Sequence, residues 1–209
     1  MEKACALNKK EWLDAIDLMK SWTGDKMRAF SLSPYWIHPI RVATLVAKYK
    51  QSHRIDWIIL AALMHDVVED TDHTVEEIVA IFGMEPAALV NELTSDDAAI
   101  IEIGKTLTDD QKLWKQLGKA EYLARKLVKM SSWALVIKLC DRLDNVSDFC
   151  LAPPNFIEKY AAETDIILLR LETEREQLSD THKRIIKDIR ATMAIYRESK
   201  FERVEGGEQ

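Results

Sequence analysis

The side chains best suited to chemistry follow a very apolar stretch. Residues 57–64 (WIILAALM) carry no charged side chain, and His65, Asp66, Glu69 and Asp70 come directly after them. This composition predicts a helix that is buried on all sides and continues into an acidic end. A helix C-terminus carries a partial negative charge and favours Lys or Arg over carboxylates. The acids therefore need a positive partner, and a bound metal ion is the simplest one.

The spacing within this segment also fits a metal site. On a helix, His65 and Asp66 lie about 100° apart, so both side chains could contact one ion. Glu69 and Asp70 follow one turn later on the same arc. Hydrated acids at the end of a core helix would give the same pattern, and a His-Asp pair alone favours that simpler interpretation. The remaining ligands must come from other parts of the chain.

Two other segments offer such ligands. His38 precedes Pro39 at the predicted start of a helix, although a lone histidine there is more often structural. Asp141 lies in the largely apolar segment 134–143, where a carboxylate needs a partner. Two imidazoles and two carboxylates suit zinc, manganese or iron(II) better than calcium or magnesium.

Helices are predicted to position most of these residues. Asp56 is the predicted N-cap of the apolar helix, and Thr74 to Glu77 form a capping box for the next one. Residues 23–37, with Gly24 and Pro34, predict a loop. Residues 95–111 show the weakest periodicity and predict a loop with one helical turn.

The C-terminal part predicts two long amphipathic helices over 155–178 and 180–201, after the break at Pro153-Pro154. We find no internal repeat and no low-complexity linker. The sequence therefore predicts an all-α protein, with one helical domain over residues 1–209 that contains roughly eight to ten helices.

Composition excludes several classes of protein. The 209 residues are 47% hydrophobic and 31% charged, as in ordinary globular proteins. The net charge of −6 argues against a general nucleic-acid-binding surface. Cys5, Cys140 and Cys150 have no metal-type spacing and predict reduced thiols in the cytoplasm. No signal peptide is evident, and the apolar stretch is too short to span a membrane.

Three segments together resemble the hydrolase domain of RelA/SpoT homologues, within the HD superfamily of phosphohydrolases. They are PYWIHPIRVATLVAKY (34–49), LAALMHDVVEDTDHTVEEIVAIFG (60–83) and LVIKLCDRLDNV (135–146). The family reads PYxxHPxxVA, ALLHDxxEDT followed by TxEEIxxxFG, and IKLADRxxN. The resemblance covers about residues 5–170 and implies an HD-type fold around one metal ion. The chain length leaves no room for a synthetase domain, which implies a small hydrolase-only member.

The resemblance also implies roles for individual residues. It makes His38, His65, Asp66 and Asp141 the ligands of one Mn²⁺. Glu69 and Asp70 match the pair assigned to catalysis, and Asn145 matches the asparagine that helps to hold the nucleotide. The implied reaction removes pyrophosphate from the 3′ position of (p)ppGpp and gives GDP or GTP. The implied partner is a small phosphorylated nucleotide, with no nucleic acid or membrane, and a homo-oligomer remains open.

Base recognition is where the chain departs from the family. The segment HxGQxRKxG is replaced by WTGDKMRAFSLS (22–33), which retains only Arg28 of the basic pair. Arg28 and Tyr35 are candidate substrate-binding residues. Arg41 and Lys138 are further candidates, although either could simply balance nearby acids.

Asp144 replaces a residue that is commonly His or Tyr and adds negative charge beside the pocket. The sequence therefore leaves alternatives to a guanosine alarmone open. They are an HD phosphatase or pyrophosphohydrolase for ppApp, the 2′-phosphate of NADPH or a 5′-mononucleotide, and a non-catalytic nucleotide-sensing module.

Overall fold

Helices account for almost all of the regular structure. The computed structural model describes the backbone of residues 9–205 and the side chains of residues 10–197. The helices are α1 (Lys9–Thr23), α2 (Ile37–Tyr49), α3 (Ile55–Met64), α4 (Val67–Asp70), α5 (Val75–Phe82), α6 (Met84–Leu93), α7 (Asp97–Leu107), α8 (Trp114–Lys129), α9 (Ser132–Ser147), α10 (Pro154–Glu174) and α11 (Asp180–Glu205). Within residues 9–205 there is no β-strand, only an isolated bridge between Met27 and Pro34. The all-α prediction is confirmed.

Helix α3 lies at the centre of the core. Every residue from Ile58 to Met64 is buried, as its composition predicts. The helix packs against α1, α2, α6 and α9, which together surround it. Burial of a large aliphatic side chain stabilises a fold by about 1.5–3 kcal/mol. The side chains that follow α3 are therefore attached to the best-packed part of the molecule.

Both ends of α3 differ from the sequence prediction. The helix starts one residue early, at Ile55, so Asp56 lies in the first turn and Arg54 is the N-cap. Ile55 packs against the core, and this contact extends the helix. The C-terminal end stops at Met64, and residues 65–66 form a turn before α4. The predicted acidic end is therefore a separate single turn, in which the Asp70 amide donates to the Asp66 carbonyl at 2.9 Å.

The prediction of a loop over residues 95–111 is wrong, because α7 fills most of it. Asp96 caps this helix by accepting hydrogen bonds from the Ala98 and Ala99 amides. Helix α7 then packs tightly against α8 through Gly104 and Gly118. A Cβ added to Gly104 would lie 2.0 Å from the Trp114 carbonyl oxygen. Glycine permits this backbone approach, whereas a sequence pattern reads it as a helix breaker.

The other predicted elements are present, although α10 ends at Glu174, four residues before the predicted end at 178. Thr74 and Glu77 form both hydrogen bonds of the predicted capping box. The two long C-terminal helices are present as α10 and α11, which pack on α8 and α9 respectively. Among the described helices, none combines the length and the apolar composition needed to cross a membrane. Cys140 and Cys150 are both unpaired thiols, and Cys5 lies outside the described residues.

Candidate active site

The four predicted metal ligands lie together although they come from three parts of the chain. His38 is at the start of α2, His65 and Asp66 form the turn after α3, and Asp141 is in the middle of α9. One ligand atom from each of His38, His65 and Asp141 lies within 4.8 Å of the others. Oδ2 of Asp66 lies 3.1 Å from Nε2 of His65 and 3.6 Å from Nε2 of His38. The fold therefore gathers two imidazoles and the Asp141 carboxylate within 4.8 Å of one another, and the Asp66 carboxylate lies next to both imidazoles.

Hydrogen bonds orient both imidazoles towards this point. Nδ1 of His65 lies 2.8 Å from the Ala62 carbonyl oxygen, so it carries the proton and donates. Nδ1 of His38 lies 2.7 Å from Oδ2 of Asp144. Nε2 of His65 is buried without a hydrogen-bond partner. A buried polar atom without a partner requires an explanation, and a divalent ion bound by nitrogen and oxygen supplies one.

The electrostatics of the cluster favour positive charge at its centre. Burial alone lowers the pKa of His65, but the Asp66 and Asp141 carboxylates raise it to about 9. Burial likewise lowers the pKa of His38, and hydrogen bonds with Asp141 and Asp144 outweigh it and raise the pKa well above the usual range. Protons on the imidazoles therefore balance the carboxylates until a cation displaces them.

Asp141 is held from two sides within its own helix. Its Oδ2 lies 3.0 Å from Nζ of Lys138, and its Oδ1 accepts a hydrogen bond from Asn145 at 2.7 Å. Burial raises the pKa of Asp141, but the Lys138 ammonium and the two imidazoles hold it well below its usual range. The buried carboxylate thus has the partners that its apolar surroundings demand. The Lys138 charge is directed at Asp141, which is the balancing role considered above.

A cavity of about 360 Å³ adjoins the cluster, within the size range of small-molecule sites. One side, which we call the metal-ligand wall, includes His38, Asp66 and Asp70. The other, the aromatic wall, includes Met27, Phe30 and Phe156. The Phe30 and Phe156 rings have their centroids 4.6 Å apart. The cavity therefore combines polar groups of the predicted metal site with two aromatic rings, tilted by 59° to each other, that suit packing against a nucleobase.

The two predicted catalytic acids occupy different places. Asp70 lines the cavity, and its Oδ2 lies 2.7 Å from Nζ of Lys26. Glu69 is exposed, and its Oε1 accepts a hydrogen bond of 2.5 Å from the Ser95 amide. The loop before α7 thus holds the Glu69 carboxylate. Lys26 is a cavity residue that the sequence pattern did not single out from its basic loop.

Tyr35 and Asn145 both contact predicted metal ligands. The Tyr35 hydroxyl donates to Oδ2 of Asp66 at 2.5 Å, and its ring lies beneath Nζ of Lys26, 4.4 Å from the centroid. Burial and the Asp66 carboxylate raise the pKa of Tyr35 above its usual range, so the phenol stays protonated and donates. Asn145 accepts from Nη2 of Arg28 at 3.2 Å while it donates to Asp141.

Arg28 and Arg41 converge on the C-terminal end of α9. Arg41 Nε lies 2.6 Å from Oδ1 of Asp144, and its Nη1 lies 2.9 Å from Oδ1 of Asp148. Arg28 Nη2 lies 2.8 Å from Oδ2 of Asp148, and its Nη1 lies 3.4 Å from Oδ2 of Asp144. Arg41 therefore balances two acids, whereas Arg28 also lines the cavity.

Sequence patterns missed the contact between Asp144 and His38. They indicate only an added negative charge at this position, yet the carboxylate is 1% exposed and bonds to a predicted metal ligand. One available signal was its spacing, because Asp144 follows Asp141 by nearly one helical turn. That spacing could not reveal the partner, since His38 lies 106 residues earlier in the chain.

A family model described as HD domain matches residues 15–178. The chain belongs to the HD domain family. Membership implies a divalent metal ion, and His38, His65 and Asp141 form a cluster that could hold it.

Curated relatives of this HD protein include enzymes of alarmone breakdown. A probable guanosine-3′,5′-bis(diphosphate) 3′-pyrophosphohydrolase of Mycoplasma pneumoniae is 36% identical over 64% of this chain. The pyrophosphohydrolase MESH1 of Drosophila melanogaster is 34% identical over 58% of it, and MESH1 of Mus musculus is 29% identical over 75%. The aligned regions cover 17%, 59% and 81% of these relatives. The chain therefore spans only a small part of the bacterial protein.

Two solved structures share the fold. One is described as a metazoan ortholog of SpoT that hydrolyzes ppGpp. It has a TM-score of 0.64 and 22% identity, and the match covers 88% of this chain and 97% of that one. The other is lmo0812 from Listeria monocytogenes, with a TM-score of 0.52 and 20% identity over 75% of this chain and 99% of that one. At these identities the likeness concerns the fold.

Proposed function

We propose that this HD protein is a Mn²⁺-dependent hydrolase that removes pyrophosphate from the 3′ position of guanosine alarmones, converting (p)ppGpp to GDP or GTP. One observation carries the proposal. A buried imidazole nitrogen of His65 without a partner faces two carboxylates and a second imidazole, beside a cavity with an aromatic wall. The names of the curated relatives support the choice of substrate.

The proposed metal ligands are His38, His65, Asp66 and Asp141. This donor set suits Mn²⁺, Zn²⁺ or Fe²⁺, and the resemblance to RelA/SpoT homologues favours Mn²⁺. A divalent ion there supplies Lewis acidity, since it polarises a phosphoryl oxygen and lowers the pKa of a nearby water.

The proposed reaction is hydrolysis at the phosphorus next to the ribose. The water oxygen bonds to this phosphorus and gives up one proton, the bond from phosphorus to O3′ breaks, and O3′ takes up the proton that the carboxylate base removed from the water. Asp70 accepts the proton of the attacking water, because it belongs to the metal-ligand wall of the cavity. Glu69 assists after it exchanges its hydrogen bond to the Ser95 amide for one to the same water.

The remaining cavity residues bind the substrate in this proposal. Lys26 is a flexible cation next to Asp70 and pairs with the phosphates. Phe30 and Phe156 pack against the base, and Arg28 and Asn145 supply polar contacts. Tyr35 acts mainly by fixing Asp66, to which it donates.

A substrate panel tests this function. Purified protein with Mn²⁺ is incubated with ppGpp, pppGpp, ppApp, NADPH and 5′-mononucleotides, and phosphorus NMR identifies the products. We expect pyrophosphate with GDP or GTP from the guanosine alarmones. Release of orthophosphate alone from every compound would overturn the proposal. Pyrophosphate from ppApp only would keep the chemistry and replace the base.

Matched substitutions distinguish an enzyme from a nucleotide sensor. Asp70→Asn is compared with Asp72→Asn, since Asp72 is an exposed acid two residues further along. Glu69→Gln is compared with Glu76→Gln, another exposed glutamate. We expect Asp70→Asn to lower turnover by about 100-fold or more, the usual size of acid–base catalysis. Equal, near-background rates in wild type and all four variants would indicate a sensor.

A further inference from the structure

The two histidines of the metal cluster are fixed by different kinds of partner. His65 donates from Nδ1 to the main-chain carbonyl of Ala62, a neutral acceptor in its own helix. His38 instead bonds through Nδ1 to the side chain of Asp144, which comes from α9. The orientation of His38 therefore depends on a side chain distant in sequence, whereas that of His65 is set by the main chain of the helix that directly precedes it.

The environment of Asp144 is unfavourable for a carboxylate unless it has specific partners. The group is 1% exposed and lies in the C-terminal half of α9, where the helix dipole disfavours negative charge. The last turn of α9 contains no basic residue. Arg41 and Arg28, from α2 and from the loop before it, provide the compensating charge. Two arginines thus hold one carboxylate against one imidazole.

The bonding pattern requires both oxygens of Asp144 to be acceptors. Oδ1 accepts from Nε of Arg41 at 2.6 Å, and an arginine can only donate. Oδ2 accepts from Nδ1 of His38 at 2.7 Å, which places the ring proton on Nδ1. Nε2 lies 3.3 Å from Asp141 Oδ1, and once it gives up its own proton its lone pair is directed into the cluster. This tautomer is the one that a metal ligand bound through Nε2 requires.

We propose that Asp144 is a positioning residue for the metal site: its carboxylate holds His38 with Nδ1 protonated and Nε2 available to the ion. This inference rests on the proposed metal ligands. A carboxylate behind a metal-binding histidine fixes the ring and makes it a stronger donor. Through Arg28, the same carboxylate also connects the cavity wall with the metal ligand.

Asp144→Asn tests the proposal because an amide cannot accept on both sides. If its oxygen faces Arg41, its NH₂ group faces His38 and forces the ring proton to Nε2, where it opposes metal binding. If its oxygen faces His38, its NH₂ group opposes the arginine cation. We expect a 10- to 100-fold loss of Mn²⁺ affinity, the range typical of such partners. Electron paramagnetic resonance of unbound Mn²⁺ during a titration measures it.

Asp148→Asn is the matched control. Asp148 contacts the same two arginines, and its amide variant suffers the same conflict between donors, but none of its described contacts is with His38. We expect less than about threefold change in Mn²⁺ affinity. An equal loss in both variants would show that Asp144 acts only by balancing the arginines. Wild-type affinity in Asp144→Asn would also overturn the proposal.

A measurement on the wild-type protein gives an answer even if Asp144→Asn does not fold, which thermal denaturation would detect. Nitrogen-15 NMR of the histidine rings, with diamagnetic Zn²⁺ bound, identifies the protonated nitrogen. The His38 signals are assigned by their loss in His38→Gln. We expect a proton on Nδ1 and metal on Nε2, and the reverse arrangement would refute the role of Asp144.

Absence of bound Zn²⁺ and Mn²⁺ would refute the metal site itself. Metal binding without alarmone hydrolysis would refute only the proposed function.

Discussion

The two walls of the cavity are built in different ways. The metal-ligand wall lies where α2, the turn after α3, and α9 meet, and its residues are attached to the most deeply buried helices. The aromatic wall combines a loop, with Met27 and Phe30, and the start of α10, with Phe156. The predicted metal ligands are thus attached to core helices. The aromatic wall depends instead on a loop that side-chain contacts hold in place.

Contacts from Arg28 connect these walls. It extends from the loop to Asn145, Asp144 and Asp148 on α9, with distances between 2.8 and 3.4 Å. Lys26 and Tyr35 also fix the loop, through Asp70 and Asp66, and surface loops tolerate changes in their other residues better than core helices do. This difference allows the loop to vary in sequence while the cluster of His38, His65 and Asp141 is kept.

The largest expected effect is at the metal cluster next to the metal-ligand wall. Asp141→Asn removes a charge that both imidazoles and Lys138 face, so metal and hydrolysis should be lost together. We expect activity to fall to background, with metal content below about one tenth of wild type, since each of the few ligands is needed for affinity. Mass spectrometry of the bound metal and a pyrophosphate assay measure both. Arg125→Ala, at an exposed ion pair, is the control. Full metal occupancy in Asp141→Asn would contradict the ligand assignment.

The next effect concerns Tyr35, which belongs to the loop side yet bonds to a metal ligand. Tyr35→Phe removes the hydrogen bond to Asp66 while the ring is kept. Hydrogen bonds to charged groups contribute about 1.5–3 kcal/mol. We expect at least a tenfold loss of Mn²⁺ affinity and little change in KM. A change in KM alone would place Tyr35 with the substrate instead.

A smaller effect is expected at the aromatic wall. Phe156→Ala removes one ring of the pair with Phe30, and stacking of a base on an aromatic side chain contributes about 1–3 kcal/mol. Since Phe30 remains, we expect about a fivefold rise in KM with unchanged metal affinity. Calorimetric metal titration and steady-state kinetics separate the two. A loss of metal from this variant would show that the walls are not independent.

The smallest effect concerns a buried histidine outside both walls. Burial lowers the pKa of His182 below its usual 6.5, and its ring contacts Ser132 and Ser179. The unfolded chain then binds more protons than the folded one, so this group reduces stability as pH falls below about 6.5. Its contribution changes by at most about 1.4 kcal/mol per pH unit.

Urea unfolding at pH 7.5 and 5.5 measures this effect against His182→Gln. The difference in unfolding free energy between wild type and variant should shrink at the lower pH. At each pH, the wild type and the variant should bind Mn²⁺ with the same affinity. A pH-independent difference would contradict the lowered pKa.

Periodicity and capping signals predicted most of the helices. The capping box at Thr74 and the long helices after Pro153 are local features, and the structure has them as predicted. Local signals failed where packing decides. Gly104 lies in the segment 95–111 that the sequence predicts as a loop, yet together with Gly118 it allows α7 and α8 to approach through their backbones. Helix α3 also begins one residue earlier than predicted, at Ile55, whose side chain packs on the core.

Individual contacts of the site depended on the fold. Asp141 was recognisable as a buried acid in need of partners, and Lys138 and Asn145 supply them from the same helix. The sequence left open whether Arg41 meets substrate or acids, and in the fold it pairs with Asp144 and Asp148. Glu69 directly precedes its predicted partner Asp70, but its carboxylate accepts a hydrogen bond from the Ser95 amide and does not line the cavity.

The sequence by itself determined the all-α class, the apolar helix and the residue types that can bind a metal, because hydrophobic periodicity and side-chain chemistry are local properties. Only the tertiary structure decided which groups face each other. His38 meets Asp144 across 106 positions of the chain, and Lys26 meets Asp70. The acidic turn after α3 has no basic residue nearby in sequence, and in the fold Lys26 of the loop supplies the positive charge. Pairings of this kind follow from helix packing, and spacing along a single helix cannot encode them.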